Sequence, residues 1–366
     1  MRTPPHPRTT ANHGIQGLSP LACTLLKETI MRPHLMLVFP LLTAACVEVP
    51  HAQYFEHDAG TADAGSATPT CSSPQLVSGD LTISSTSDFT NIPATCWQLG
   101  GKLTINSASV TSLAMLGKLT SVSDLELGTT GLTKVDAGMT IAVSGDVYVH
   151  DNASLTDLSG VAAGTTRIGS LVVTNNAVLT NLGGLSEVQA VTDVTTITDN
   201  PKLTTLDLHA AQRLEGGLDV ETNAAMTSID LSSLTSSGAF TVKNNAVLTG
   251  ISLGALQYVH GGGMLIDTNA QLDLSGMTST IEQIDGFLQI TNNPKLTHLG
   301  QLAHAVTVGS TMNLSNNQTL NHCTAREVGC CVAHQGTAST SGDPGNDGDC
   351  PNHSWCWNGG CPYSYQ

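Results

Sequence analysis

A recurrent asparagine limits what this chain can fold into. Asn152, Asn176, Asn200, Asn223, Asn245, Asn269, Asn293 and Asn317 follow one another at intervals of 24, 24, 23, 22, 24, 24 and 24 residues. Seven positions ahead of each stand Gly145, Gly169, Asp193, Gly216, Gly238, Gly262, Gly286 and Ser310. Five and three positions ahead come the pairs Val147/Val149, Leu171/Val173, Thr195/Ile197, Leu218/Val220, Phe240/Val242, Met264/Ile266, Leu288/Ile290 and Met312/Leu314. Three positions behind come Leu155, Leu179, Leu203, Met226, Leu248, Leu272, Leu296 and Leu320. A fixed internal pattern at this period marks a stacked repeat architecture.

Two apolar positions spaced by two describe a short β-strand with one buried face. One such strand cannot cover its apolar side, but successive coils can, each strand pairing in parallel with those above and below. Burial of an aliphatic side chain contributes about 1.5–3 kcal/mol, against roughly 1–2 kcal/mol per residue for ordering the backbone, so each coil depends on its neighbours. The Asn falls where the strand must turn. Its carboxamide can both donate to and accept from backbone groups left unpaired at the corner, and the column predicts a ladder along the stack. Pro201 and Pro294, directly after Asn200 and Asn293, fit an extended-to-corner transition and not a helix. Leu81/Ile83, Leu103/Ile105 and Leu125/Leu127 are predicted as the first strands.

The blocks GSLVVTNNAVLTNL and GFLQITNNPKLTHL resemble the leucine-rich-repeat solenoids and, more closely, the receptor L-domain type of right-handed β-helix. The resemblance runs from Cys71 to Cys350 and includes an end block, NNQTLNHCTAREV, followed by GNDGDC. It implies a domain that binds proteins or glycans on a sheet face or serves as a spacer, without catalysis. It also implies a bridge between Cys323 and Cys350.

Composition narrows the partners. Lys and Arg number 13 against 29 Asp and Glu, a formal charge of −16, and no basic cluster is present, which argues against a nucleic-acid partner. Hydrophobic residues reach 40%, too many for a disordered chain, while aromatics are only 4%, so aliphatic side chains must fill the interior.

The first thirty residues read as an unstructured leader or a mis-assigned start. From Met31, a basic head of Arg32 and His34 precedes the apolar run Leu35 to Ala45, too short to span a bilayer and typical of a signal peptide over 31–45. Thr43, Ala44 and Ala45 lead into Cys46, which resembles a bacterial lipoprotein signal, with Thr43 where Leu is usual. The resemblance implies lipidation of Cys46, and Val47 after it resembles sorting to the outer membrane. Residues 46–70 read as the lipidated Cys and a flexible tether, 71–322 as the solenoid and 323–366 as a Cys-rich C-terminal cap.

Cysteines cluster at the two ends of the predicted solenoid, where exposed apolar interior needs covering. Cys71 and Cys96 are predicted to pair. Six Cys at the other end, 323, 330, 331, 350, 356 and 361, allow 15 pairings. The spacing of Cys356 and Cys361 suits a small loop around Asn358-Gly359-Gly360, and the partners of Cys330 and Cys331 stay open. His322, His334 and His353 lie among these thiols, but no C-x-x-C pair accompanies them and an exported chain favours oxidation, so no metal is expected.

Outward strand positions follow from the register. Asp219, Glu221, Lys243 and Asp267 form the one ionic column on adjacent coils, read as a salt ladder or, alternatively, as part of a ligand face with Tyr148. Trp355 and Trp357 in the tail are expected either to cover the last coil or to hold a sugar. Neither a catalytic constellation nor a cofactor motif is recognised. The sequence therefore predicts a non-enzymatic β-helix on an envelope lipoprotein, with a protein or glycan partner and membrane contact only through the lipid. A glycan-active or glycan-binding β-helix, resting on the acidic column, is the alternative.

Overall fold

The computed structural model describes residues 71–135, 140–275, 277–278, 281–300, 302 and 307–320, with the backbone of Ala333–His334 and Ala338–Ser339. The chain forms a β-solenoid built from three parallel sheets of 14, 8 and 3 strands. One circuit illustrates the rest. The strand Thr195–Thr198 lies in the long sheet, Thr205–Asp207 in the three-stranded sheet and Arg213–Leu214 in the eight-stranded sheet, before Leu218–Glu221 rejoins the long sheet one coil higher. Register is strict: Thr195 pairs with Leu218 and with Leu171, and Ile197 with Val220 and with Val173. The predicted first strands are present as Leu81–Ile83, Trp97–Asn106 and Leu119–Gly128. Both larger sheets continue past residue 322, where Ala333 pairs with Thr307 and Ala338 with Met312.

The interior is aliphatic. In the same circuit Ile197, Leu203, Leu206, Leu208, Ala211 and Leu214 are all buried, so three sides of each coil contribute to the core. The sequence pattern predicted one strand per coil; Leu206, Ile229 and Ile251 recur with the same period on a second side, but the strands there and on the third side are only two or three residues long, too short for alternation to mark them.

Each long-sheet strand ends in the same way. The residue before every ladder Asn, from Asp151 to Asn316, adopts a left-handed conformation with φ between 55° and 62°. Asn and Asp tolerate this region and occupy six of those eight positions, while Thr222 and Thr268 are β-branched residues held there under strain. The turn brings the Asn side chain inward, where all eight are fully buried. Asn200 shows the pattern. Its Nδ2 donates to the carbonyls of Val173 and Thr198, both at 2.9 Å, and its Oδ1 accepts from the backbone N–H of Asn176 at 3.1 Å and from Asn176 Nδ2 at 3.0 Å. The backbone N–H of Asn200 in turn donates to Asn223 Oδ1 at 3.1 Å. The column therefore satisfies buried groups that the turn removes from the strand ladder.

The −7 glycines permit close stacking: a Cβ on Gly216 would lie 2.5 Å from the backbone of Asp193 and one on Gly286 2.5 Å from that of Gly262.

The N-terminal end is closed differently. Cys71 and Cys96 form a disulfide with a Cα–Cα distance of 5.6 Å. A 3-10 helix, Thr86–Asn91, buries Phe89 beside the solenoid, and Trp97 is buried with its indole N–H donating to the Leu116 carbonyl at 2.9 Å. Large rings, scarce elsewhere, serve here as a plug. Cys323, Cys330, Cys331, Cys350, Cys356 and Cys361 lie outside the described residues, as does Cys46.

Candidate functional site

The outward face of the long sheet presents the residues four and two positions ahead of each Asn. Strands in register place equivalent side chains on neighbouring coils in straight columns at the inter-strand spacing, about 4.7–4.9 Å. This crowding leaves Tyr148, Asp219, Glu221, Lys243 and Asp267 half-buried instead of free in solvent. Low exposure makes charge pairing on this face matter more than on an ordinary surface.

The four residues predicted as an ionic column separate into three environments. Glu221 and Lys243 are opposite each other and paired, with Oε2 to Nζ at 3.0 Å, and Asn244 Nδ2 donates to Glu221 Oε1 at 3.2 Å. Asp267 lies opposite Lys243 in register, but its carboxylate is held by the hydroxyls of Thr291 and Thr268 and by Asn292 Nδ2, the last at 2.8 Å. Desolvation pushes Asp267 up, yet these hydrogen bonds and the Lys243 charge outweigh it, and its pKa falls below the ordinary carboxyl value. Asp219 has no such donors. Its Oδ1 is buried without a hydrogen-bond partner, and desolvation, reinforced by the charge of Glu221, raises its pKa. Two carboxyls two coils apart are thus driven in opposite directions, Asp267 by its donors and the Lys243 charge and Asp219 by desolvation and the Glu221 charge.

A second constellation, absent from the sequence reading apart from Tyr148, occupies the first coils. Lys102 Nζ approaches Glu126 Oε2 to 2.6 Å and lies 5.4 Å from the centre of the Tyr148 ring. His150 spans two carboxylates, with Nε2 3.3 Å from Glu126 Oε1 and Nδ1 2.8 Å from Asp151 Oδ2. Tyr148 donates its hydroxyl to Asp146 Oδ2 at 3.2 Å. The imidazole fits because its register partner is Gly128, where a Cβ would come within 2.6 Å of His150 Cε1.

The electrostatics follow from these contacts. The Lys102 hydrogen bond, with help from His150, overcomes desolvation and lowers the pKa of Glu126. Desolvation is the largest single influence on His150 and pulls its pKa down, but hydrogen bonds and charge from Asp151 and Glu126 together raise it. The result is a closed network of paired charges. Its signal was available in the sequence. Counting back from Thr130, which takes the place of the Asn in that coil, puts Glu126 at the outward position between Leu125 and Leu127.

Trp355 and Trp357 lie outside the described residues. Among the described residues, no group of three or more His, Cys, Asp or Glu side chains converges to hold a metal ion. Comparison of the chain with protein-family models, with curated proteins and with solved structures finds no match.

Proposed function

We propose that this chain is a non-enzymatic cell-envelope lipoprotein, anchored through Cys46, that displays its β-solenoid for recognition of a protein or glycan, for adhesion or for spacing. The observation that carries the reading is the uninterrupted long sheet: a buried Asn column fixes its geometry while the outward columns vary freely in chemistry. Such a face suits presentation of a surface, and the likeness of its repeats to receptor L-domains points the same way. The signal run before Cys46 and the polar tether after it would place that face at a distance from a membrane.

Growth of expressing bacteria on radiolabelled palmitate tests the anchor. Wild-type protein takes up label and Cys46→Ala does not; label retained by Cys46→Ala would reject lipidation at this site.

One observation supports a second reading, in which the solenoid cleaves glycans. The opposed pKa shifts of Asp219 and Asp267 resemble the division between a protonated acid and an ionised carboxylate in glycoside hydrolysis. Reducing ends released from a polysaccharide panel by wild type, and not by Asp219→Asn, would displace the binding reading in favour of this one.

A further inference from the structure

The eight-stranded sheet stops short of the N-terminal end, and the stop creates a cleft. Its path ends at Arg167–Ile168, whereas the strand one coil below, Ala142–Val143, pairs instead with Ser121–Val122 in the long-sheet network. Between these two strands the regular ladder is replaced. The Val143 N–H donates to the Thr165 hydroxyl at 3.2 Å, and Ala162 and Gly164 take left-handed conformations with φ of 54° and 75°. The chain swings away after Val161 and returns at Arg167, leaving a cleft of about 370 Å³ across five successive coils. That volume lies in the range of sites for small molecules, roughly 300–1,000 Å³.

The lining has a specific chemistry. Leu76, 65% exposed, forms an apolar wall, and Leu99, Val122 and Val143 lie beneath the floor, buried in the core. Ser121, Ser144 and the exposed Arg167 belong to the lining too. No Asp or Glu contributes, although the chain carries 29 of them against 13 Lys and Arg. Arg167 has no ion-pair partner among the described residues, whereas Arg213, two strands along the same sheet, pairs with Glu215 at 3.6 Å. An unpaired guanidinium favours a carboxylate, which it can engage through two parallel hydrogen bonds. Hydroxyls beside apolar carbon suit a ring that has both hydroxyl groups and C–H faces.

We infer that this cleft binds a short acidic oligosaccharide of the hexuronate type, one carboxylate on Arg167 and the ring face of a unit further along the chain on the Leu76 wall, four inter-strand steps or about 19 Å away. The assignment gives a ligand class to the recognition role and rests on that role, but it lies on a different side of the solenoid from the Asp219 column. Calorimetric titration of the full-length protein with tetragalacturonate, and with its fully methyl-esterified form, tests it.

Binding of the acid, with at least tenfold weaker binding of the ester and of the acid to Arg167→Gln, is the expected result. Arg213→Gln, outside the cleft, should bind as wild type does. Equal affinity for acid and ester, or unchanged affinity in Arg167→Gln, would overturn the cleft assignment while leaving glycan recognition elsewhere on the solenoid intact. Absence of heat with tetragalacturonate up to millimolar concentration, in protein whose far-UV spectrum matches a β-solenoid, would also overturn it. Neither outcome bears on the palmitate experiment.

Discussion

The first coils and the middle coils of this solenoid solve the same problem by different means. From Leu171 to Ser315 each coil repeats one arrangement: an inward pair, aliphatic except for Thr195 and Phe240, then a left-handed corner and a buried Asn bonded across coils. Between Trp97 and Thr130, below the first ladder Asn, that arrangement is incomplete. Thr130 stands where the next coils have Asn, its N–H and hydroxyl reaching Asn152 Oδ1 at 2.9 and 2.6 Å, and the Asn column ends there. The strands Trp97–Asn106 and Leu119–Gly128 run to ten residues with register shifts. Rings, a disulfide and a charged network supply contacts that the column supplies elsewhere. Repetition of one buried hydrogen-bonding residue lets the outer surface drift. Where the repetition stops, individual side chains must each be fitted, as Gly128 is to His150.

The sharpest way to break this contrast is to remove one rung. Asn200→Ala deletes four side-chain hydrogen bonds and leaves the buried N–H of Asn176 without its acceptor. At about 1 kcal/mol net for each of the other three bonds and about 1–3 kcal/mol for the stranded amide, the expected loss is roughly 4–6 kcal/mol. Thr130→Val removes the hydroxyl, which donates to Asn152 Oδ1 and accepts a long bond of 3.4 Å from the Leu132 N–H, while the Thr130 N–H still reaches Asn152, and should cost about 1–2 kcal/mol. Urea denaturation of the two variants measures the difference. Equal losses would mean that the Asn column does not hold the middle coils.

A smaller effect of opposite sign is expected at the corners. Thr222 sits at φ 58°, a conformation that costs a β-branched residue about 1 kcal/mol or more relative to Asn. Thr222→Asn should raise stability by about 1 kcal/mol, read from the thermal midpoint. A neutral or destabilising result would show that the corner is not strained.

The smallest effect separates the first coils by pH. His150, whose folded pKa is raised, stabilises fully below its unfolded value and loses that contribution as pH rises through the folded one. Glu126, whose folded pKa is lowered, stabilises fully above its unfolded value and loses it as pH falls through the folded one. Both contributions are complete only between the two unfolded values, about pH 4.3 to 6.5. The stability difference between wild type and His150→Gln should therefore peak in that window and stay under about 1 kcal/mol, because the pair is partly solvated. A difference independent of pH would exclude the ionic role of His150.

Much of the fold was legible because an inward residue must match its counterpart one coil away. That constraint writes Leu179, Leu203 and their equivalents into the chain at a fixed interval, and it predicted the long sheet; the Cys71–Cys96 bridge was legible from the placing of cysteines at the solenoid's ends. The left-handed corner also left a trace, the Asn-Asn and Asp-Asn pairs at 175–176 and 151–152, which identify the turn once its φ is known. The second and third sheets were not legible, since strands such as Arg213–Leu214 are two residues long and carry no alternation. The acidic column was visible as a set of positions, but its division was not. Whether Asp267 gains three donors and Asp219 none depends on Thr291 and Asn292, one coil away.

Periodicity in the chain by itself determined a stacked β-solenoid with an aliphatic interior and an Asn at each corner, because burial repeats wherever the coil repeats. The partners of Lys102, Glu126 and His150, the opposed titration of Asp219 and Asp267, and the cleft beside Arg167 were decided only by the tertiary structure. Those features arise between coils, from how residues some 24 positions apart meet across a sheet, and from where the second sheet breaks off.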